Sequence, residues 1–248
     1  MDYGKYGEIV DALSRADSVD GIHEQCAALS ETCGFDLFQY GTIIPDPFSG
    51  PKVIIISGYP PAWLGRYLEQ GYMGIDPIVT HCCSKVVGID WERTRHLEDE
   101  DRTIREFMGE SREFGLQSGI SFPVHSPGGE VAILSLASSC RGHDRAKSFI
   151  DTLVPFAHQA AFHVHEAVKR VVHASVLHSP EAPLTEREKD CLLWSAEGKT
   201  SWETAKILGI SERTVKFHLR NACVKLHAGN RTQAIARAVS LGLIRLST

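Results

Sequence analysis

Apolar positions along this chain change their period several times, and each change marks an element. Lys5–Ser14 and Ile22–Cys33 carry apolar side chains at helical spacing, which predicts two amphipathic helices. Phe35–Ile44 and Lys52–Ser57 switch to β-rich runs bounded by Gly34, Pro45 and Gly58, so strands are expected there. Helices are expected over Pro61–Gln70 and Asp99–Glu113. Gly119–Val124 and Val131–Ala137 read as a second strand pair, with Pro127-Gly128-Gly129 as the turn. A long helix is then expected over Asp144–Val172. Its stripe runs through Ile150, Leu153, Ala157, Ala161, Val164, Val168 and Val171. Pro155 should kink this helix or split off its first turn. The stripe could pack on the domain's own sheet or form a dimer surface, and the pattern favours neither. Helices around an antiparallel sheet predict an α+β fold, an α/β/α sandwich.

The periodicity lapses between 174 and 183, where SVLHSPEAP carries two prolines. Residues 1–173 are therefore expected to form one domain, 174–183 a linker and 184–248 a second domain. In the second, four short helices are predicted: Glu186–Glu197, Ser201–Leu208, Glu212–Leu226 and Arg231–Leu241. Thr185 with Glu188, and Thr200 with Glu203, have capping-box spacing. Ser211 and Asn230 can cap the last two helices. Gly198 and Gly209 can end the first two. The middle pair has helix-turn-helix spacing: a small Ala205, a turn at Gly209 and an apolar plug at Val215. On the third helix Val215, Ala222 and Leu226 point inward. Arg213, Lys216 and Arg220 recur at i, i+3 and i+7 on the other side. A solvated charged face is the bland reading of those cations, but here they coincide with the glycine turn and both capping boxes. A helix with one apolar and one cationic face suits the major groove of double-stranded DNA.

Charge sharpens this reading. The chain has 26 basic and 31 acidic residues. From 180 onward there are 11 basic against 7 acidic residues, a balance of +4, whereas residues 1–179 carry −9. Only the C-terminal part is expected to meet phosphate.

Leu184-Thr185-Glu186-Arg187-Glu188, Ala196-Glu197-Gly198-Lys199-Thr200, Ile210–His218, Lys225-Leu226 and Gly242-Leu243-Ile244 together resemble the LuxR-type DNA-binding domain. The resemblance covers about 182–244. Ala222 departs from it, since the family usually has a larger aliphatic residue there. The resemblance implies that Lys216 and Arg220 read bases. It places Lys199, Thr200, Ser201, Arg213, Thr214 and Arg231 near phosphates.

In the first domain Tyr59-Pro60-Pro61-Ala62-Trp63, Tyr67, Asp76-Pro77, Trp91 and Gly119 resemble the acyl-homoserine lactone-binding domain of quorum-sensing regulators. Trp63 and Tyr67 are one helical turn apart, so their rings share a face. Asp76-Pro77 begins a turn that can aim a carboxylate into the same cavity. The ligand implied is an N-acyl-homoserine lactone, and its polar groups need partners once buried. Trp63 would donate to the ring carbonyl and Asp76 would accept from the amide N–H. Tyr59 and Ser135 would donate to the acyl carbonyl. Tyr67, Trp91 and Phe107 would supply aromatic walls. An aromatic core cluster is the plain alternative, but it leaves Asp76 without a reason. For the acyl chain, Tyr40, Thr42, Ile55, Ser57, Ser111 and Ser121 are candidates by position.

An enzyme with a regulatory tail is the rival class. The chain has no GxSxG elbow, no HExxH and no phosphate loop. His81 beside Cys82 and Cys83 lacks a third residue. His158, His163, His165, His173 and His178 are not completed to a four-ligand set, so neither metal nor cofactor is expected. Seven scattered cysteines, no signal peptide and no spanning apolar stretch predict a cytoplasmic protein without a membrane partner. The family resemblance implies a homodimeric transcription activator at a pseudo-palindromic site, with RNA polymerase as a partner. A solitary receptor for a signal made by other cells is the nearer alternative.

Overall fold

The computed structural model describes residues 3–44, 50–126, 129–139, 147–173 and 183–245. Two compact units separate, one ending after the long helix and one centred on the C-terminal helices. The first opens with α1 (Tyr3–Arg15) and α2 (Val19–Thr32), the latter capped by Ser18. Next come β1 (Leu37–Ile44), β2 (Lys52–Ser57), α3 (Pro61–Glu69) and α4 (Pro77–Ser84). They are followed by β3 (Ile89–Asp90), α5 (Leu97–Glu100), α6 (Arg102–Glu113), β4 (Ser118–His125) and β5 (Val131–Ser138). The unit closes on α7 (Lys147–Val168), which runs into a wider π turn over Lys169–His173.

The sheet has the order β2-β1-β5-β4-β3. β5 lies antiparallel to both β1 and β4, with Gln39 opposite Ser135 and Ser121 opposite Ser135. Strand alternation then assigns the two faces. Phe38, Tyr40, Phe122 and Leu134 turn to one side and join Ile9, Leu13, Ile22, Leu29 and the α7 residues in the larger core. On the other side α3, α4 and α6 cover the sheet, with Trp63, Tyr67, Phe107 and Met108 forming a second cluster. The sheet is thus sandwiched between helices, as the alternating pattern predicted.

Several boundaries differ from the sequence expectation. Asp99–Glu113 is broken, because Asp101 adopts an extended backbone and its carboxylate caps α6 through Thr103 N at 2.7 Å. α4 was not foreseen: PIVTHCCS has little helix propensity, and its start is written only in Asp76-Pro77, a cap followed by a proline at the first helical position. α7 continues through Pro155 rather than splitting at its first turn. The expected turn residues Pro127 and Gly128, the start of the long helix at Asp144 and the linker at 174–182 lie outside the described residues. Ala157, Ala161, Val164 and Val168 are buried against the unit's own core. These four positions of the stripe, with Val171 against the same core, therefore pack within the domain, whereas the side chains of Ile150 and Leu153 lie outside the described residues.

The second unit consists of α8 (Glu186–Ala196), α9 (Ser201–Leu208), α10 (Glu212–Lys225) and α11 (Arg231–Ser240). Both capping boxes form, and Ser211 and Asn230 cap α10 and α11. Gly209 takes φ +67° at the α9–α10 turn, a backbone that a side chain resists. Val215, Ala222 and Leu226 are fully buried. Ala222, the departure from the family pattern, thus fills an ordinary core position.

Candidate functional site

Between the sheet and the layer of α3, α4 and α6 lies a cavity of about 100 Å³. One buried water needs about 10–15 Å³ on the same measure, so the space admits a chain of several heavy atoms. Tyr59, Trp63, Tyr67, Asp76, Trp91, Phe107 and Ser135 all line it. Seven of the nine residues expected at the ligand converge here.

The other two act from behind the wall. Pro77 starts α4. Gly119 is a spacing residue: a Cβ there would meet the Trp91 ring at 2.7 Å and the Leu136 carbonyl at 2.8 Å. The glycine lets β4 pass directly behind the indole.

The aromatic residues pack as a group. Trp63 lies 5.9 Å from Tyr67 and 6.0 Å from Phe107 between ring centroids, with Tyr72 and Phe114 also against it. Tyr67 does more than form a wall. Its hydroxyl donates to Asp76 Oδ2 at 3.0 Å, while Ile78 N–H donates to Oδ1 at 2.8 Å. Asp76 is thereby fixed as the cap of α4 and also turned to the cavity. Burial pushes its carboxyl up to about 6, against the pull of Ile78 and Tyr67. Burial, reinforced by Asp76, also raises the Tyr67 and Tyr59 hydroxyls well above the ordinary tyrosine range.

The Tyr59 hydroxyl is buried without a hydrogen bond of good geometry, although Ser135 lies close enough to influence it. Ser135 Oγ is instead bonded to Ser121 Oγ at 2.7 Å, and Trp91 Nε1 donates to Ser121 Oγ at 2.9 Å. A buried hydroxyl left unpaired in a polar-walled cavity is a position for a ligand acceptor.

Of the acyl-chain candidates, Thr42, Ile55 and Ser111 line the cavity. Tyr40 does not. It faces the opposite core together with Phe38, and its hydroxyl pairs with His165 Nδ1 at 2.8 Å. Ser57 bonds Gln39 Oε1 and receives the Tyr59 N–H. Ser121 sits behind Ser135. The residues missed were mainly Gln39, Gly41, Ile43, Val53 and Ile133, the outward-alternating positions of β1, β2 and β5. Period-2 alternation could have found them once Tyr40 was assigned to the core. Across the layer above, Arg66 pairs bidentately with Glu110, and Tyr72 donates to the same carboxylate at 2.8 Å. This joins α3 to α6 over the aromatic group.

In the second unit Arg213, Lys216 and Arg220 are exposed on one side of α10. Lys216 Nζ pairs with Glu212 at 2.6 Å, whereas Arg220 has no ion pair or hydrogen bond among the described residues. Ser201 is the first residue of α9, beside Lys199 and Thr200. The Thr200 hydroxyl is occupied by the cap, and the Thr214 hydroxyl bonds Ser211 at 2.7 Å. The Arg231 guanidinium donates to the Lys199 carbonyl, tying the start of α11 to the α8–α9 loop. Phe217 is half exposed between the cations, a feature that sequence reading passed over. The buried Glu188 receives Lys225 Nζ at 2.8 Å and the Thr185 N–H. Burial works to raise its carboxyl, but these partners hold it below the ordinary range.

Among the described residues no group of three or more His, Cys, Asp or Glu could hold a metal ion, and no helix is long and apolar enough to cross a membrane.

Two family profiles match: "Autoinducer binding domain" over residues 18–168 and "Bacterial regulatory proteins, luxR family" over residues 182–238. The transcriptional activator AhyR of Aeromonas hydrophila is 36% identical, covering 97% of this chain and 93% of its own. The transcriptional activator LuxR of Aliivibrio fischeri is 31% identical, covering 96% and 93%. Among solved structures, SdiA in complex with octanoyl-rac-glycerol superposes with a TM-score of 0.80 at 26% identity, covering 98% of this chain and 97% of its own. These relatives are regulators rather than enzymes. Profiles that account for both units, together with near full-length relatives, place the chain in the LuxR family of autoinducer-binding, quorum-sensing transcriptional regulators.

Proposed function

We propose that residues 1–173 bind an N-acyl-homoserine lactone and that residues 184–248, joined by the linker 174–183, bind a pseudo-palindromic promoter site as a homodimer. The observation that carries the ligand reading is the unpaired, buried Tyr59 hydroxyl beside Ser135, across a cavity that also holds Asp76. An amide needs both an acceptor for its N–H and donors for its carbonyl, and these side chains supply them. Asp76 accepts from the amide N–H, Tyr59 and Ser135 donate to the acyl carbonyl, and Trp63 donates to the ring carbonyl. Tyr67, Trp91 and Phe107 wall the head group, while Gly41, Ile43, Val53 and Ile55 flank the acyl chain. On DNA, Lys216 and Arg220 read base edges. Lys199, Ser201, Arg213 and Arg231 meet phosphates together with the backbone at Thr200 and Thr214. Activation then proceeds through RNA polymerase.

A second reading keeps the acyl chain but exchanges the lactone for a glycerol head group. It is favoured by the acylglycerol bound in the similar SdiA structure.

Organic extraction of the purified protein followed by mass spectrometry tests both. A recovered acyl-lactone supports the first reading and an acylglycerol the second. Failure to recover either, with no binding of lactones from four to twelve carbons in titration, would sink the proposal.

A further inference from the structure

Ser121 does not line the cavity and the proposed function assigns it no role, yet it is fully buried and hydrogen-bonded to two residues that do line it, Trp91 and Ser135. The direction of its hydrogen bonds can be worked out from proton count. Trp91 Nε1 carries a proton and has no lone pair to offer, so it donates and Ser121 Oγ accepts. The hydroxyl proton of Ser121 then needs an acceptor. Among the described residues Ser121 Oγ meets two side-chain atoms, Trp91 Nε1 and Ser135 Oγ. The indole cannot accept in its plane at nitrogen, which leaves Ser135. Were Ser135 to donate to Ser121 instead, a hydroxyl proton would be buried with no partner.

We infer that Ser121 is a positioning residue, which orients the Ser135 proton into the cavity through the relay Trp91 to Ser121 to Ser135. The inference rests on the lactone reading above and names how that site recognises a carbonyl. Ser121 donates to Ser135, so the Ser135 proton is released toward the cavity, where the Tyr59 hydroxyl also lies. Two donors then converge on one acceptor, the acyl carbonyl oxygen. Each bond in such a chain polarises the next. Ser135 is thus a stronger and better aimed donor than an isolated serine. The cross-strand register supplies the geometry, since Ser121 and Ser135 are directly opposed on β4 and β5. Trp91 contributes its ring to the cavity and its N–H to the relay, so it has no proton left for the ligand.

The test compares two probes on the full-length chain: N-octanoyl-homoserine lactone and its thioamide analogue. Sulfur in place of the carbonyl oxygen keeps the shape and the N–H but accepts hydrogen bonds poorly. Dissociation constants are measured for the unmodified protein, Ser121→Ala, Ser135→Ala and the double variant. Ser121→Cys keeps the volume close to serine but donates weakly, and serves as a second route if alanine does not fold. The relay predicts that Ser121→Ala and Ser121→Cys weaken oxoamide binding about tenfold and thioamide binding far less. It also predicts that adding Ser121→Ala to Ser135→Ala costs little further affinity. Equal weakening for both probes, or fully additive losses, would overturn the relay and mark Ser121 as a packing residue. If the unmodified protein binds neither probe nor any longer or shorter lactone, the lactone reading itself fails, and the inference with it.

Discussion

The backbone of Gly119 lies so close to the indole of Trp91 that a methyl group on it would sit 2.7 Å from the ring and 2.8 Å from the Leu136 carbonyl. One contact is with a ring held by Ser121 and the other with a strand in the middle of the sheet. Neither can retreat cheaply. Gly119→Ala should therefore cost about 1–3 kcal/mol of stability in the first unit and displace Trp91 toward the cavity. Thermal melting and ligand titration would check this. An alanine variant with unchanged melting and affinity would show that the indole is not pinned.

Asp76 gives a pH dependence with a definite sign. Its carboxyl is raised to about 6, above its unfolded value, chiefly by burial. A raised carboxyl contributes stability fully below the unfolded value near 4, and loses it as pH climbs through about 6. Ligand binding runs the other way, because the amide N–H requires the carboxylate. Affinity should be about tenfold lower at pH 5 than at pH 7.5 and level above that. Tyr67→Phe removes a donor that favours the charged form, so the midpoint should move to higher pH. Titrations at five pH values decide it; a flat profile would mean that Asp76 does not meet the amide.

In the second unit Lys225 offsets the buried charge of Glu188, which also closes the first capping box. Lys225→Met should destabilise that unit by about 1–2 kcal/mol at pH 7, less than a fully buried pair because the lysine is partly exposed. Since the glutamate's carboxyl is held low in the fold, its stabilisation is present above the unfolded value and fades as pH falls through the folded one. The gap between the two proteins should then narrow in acid. Equal melting at pH 7 would contradict the pairing.

Arg220 and Lys199 should separate by sequence and salt. Arg220 extends unpaired from the exposed side of α10, where its fork can meet N7 and O6 of a guanine. Arg220→Ala should cost about 1–3 kcal/mol on the specific site and little on random DNA. Lys199→Ala should weaken both alike and make the salt slope shallower by about one unit per subunit. Binding titrations over several salt concentrations, with native and scrambled duplexes, provide the comparison. If Arg220→Ala retains full discrimination while Lys199→Ala loses it, the helix faces the wrong way.

The C-terminal unit was legible almost to the residue because its signals are local. Thr185, Thr200 and Gly209 each act within four positions of the chain, so no tertiary knowledge is needed to read them. The first unit was legible in outline and in its head-group residues, where Trp63, Tyr67 and Asp76 lie within fourteen positions. The acyl arm was not, because its walls come from alternate positions of three strands and depend on which face each strand presents. Tyr40 shows the failure: its polar hydroxyl suggested a ligand, but the partner it finds is His165, 125 positions away. Ser121 was noticed for position alone, and its link to Trp91 appears only when β4 is set beside the Trp91–Thr94 turn.

The buried side of α7 has its own consequence. Ala157, Ala160, Ala161 and Ala167 are almost completely buried in the core that α7 shares with α1, α2 and the sheet, so methyl groups set how closely the helix packs. Cores built on large side chains can absorb an added carbon by turning a rotamer. Alanine has no rotamer to turn. A larger residue at Ala160 or Ala161 would push near the midpoint of a 22-residue rod, and the helix would have to tilt or rise as one piece. The first unit thus has a fulcrum, at which a change of one or two carbons is converted into movement at both ends of a helix.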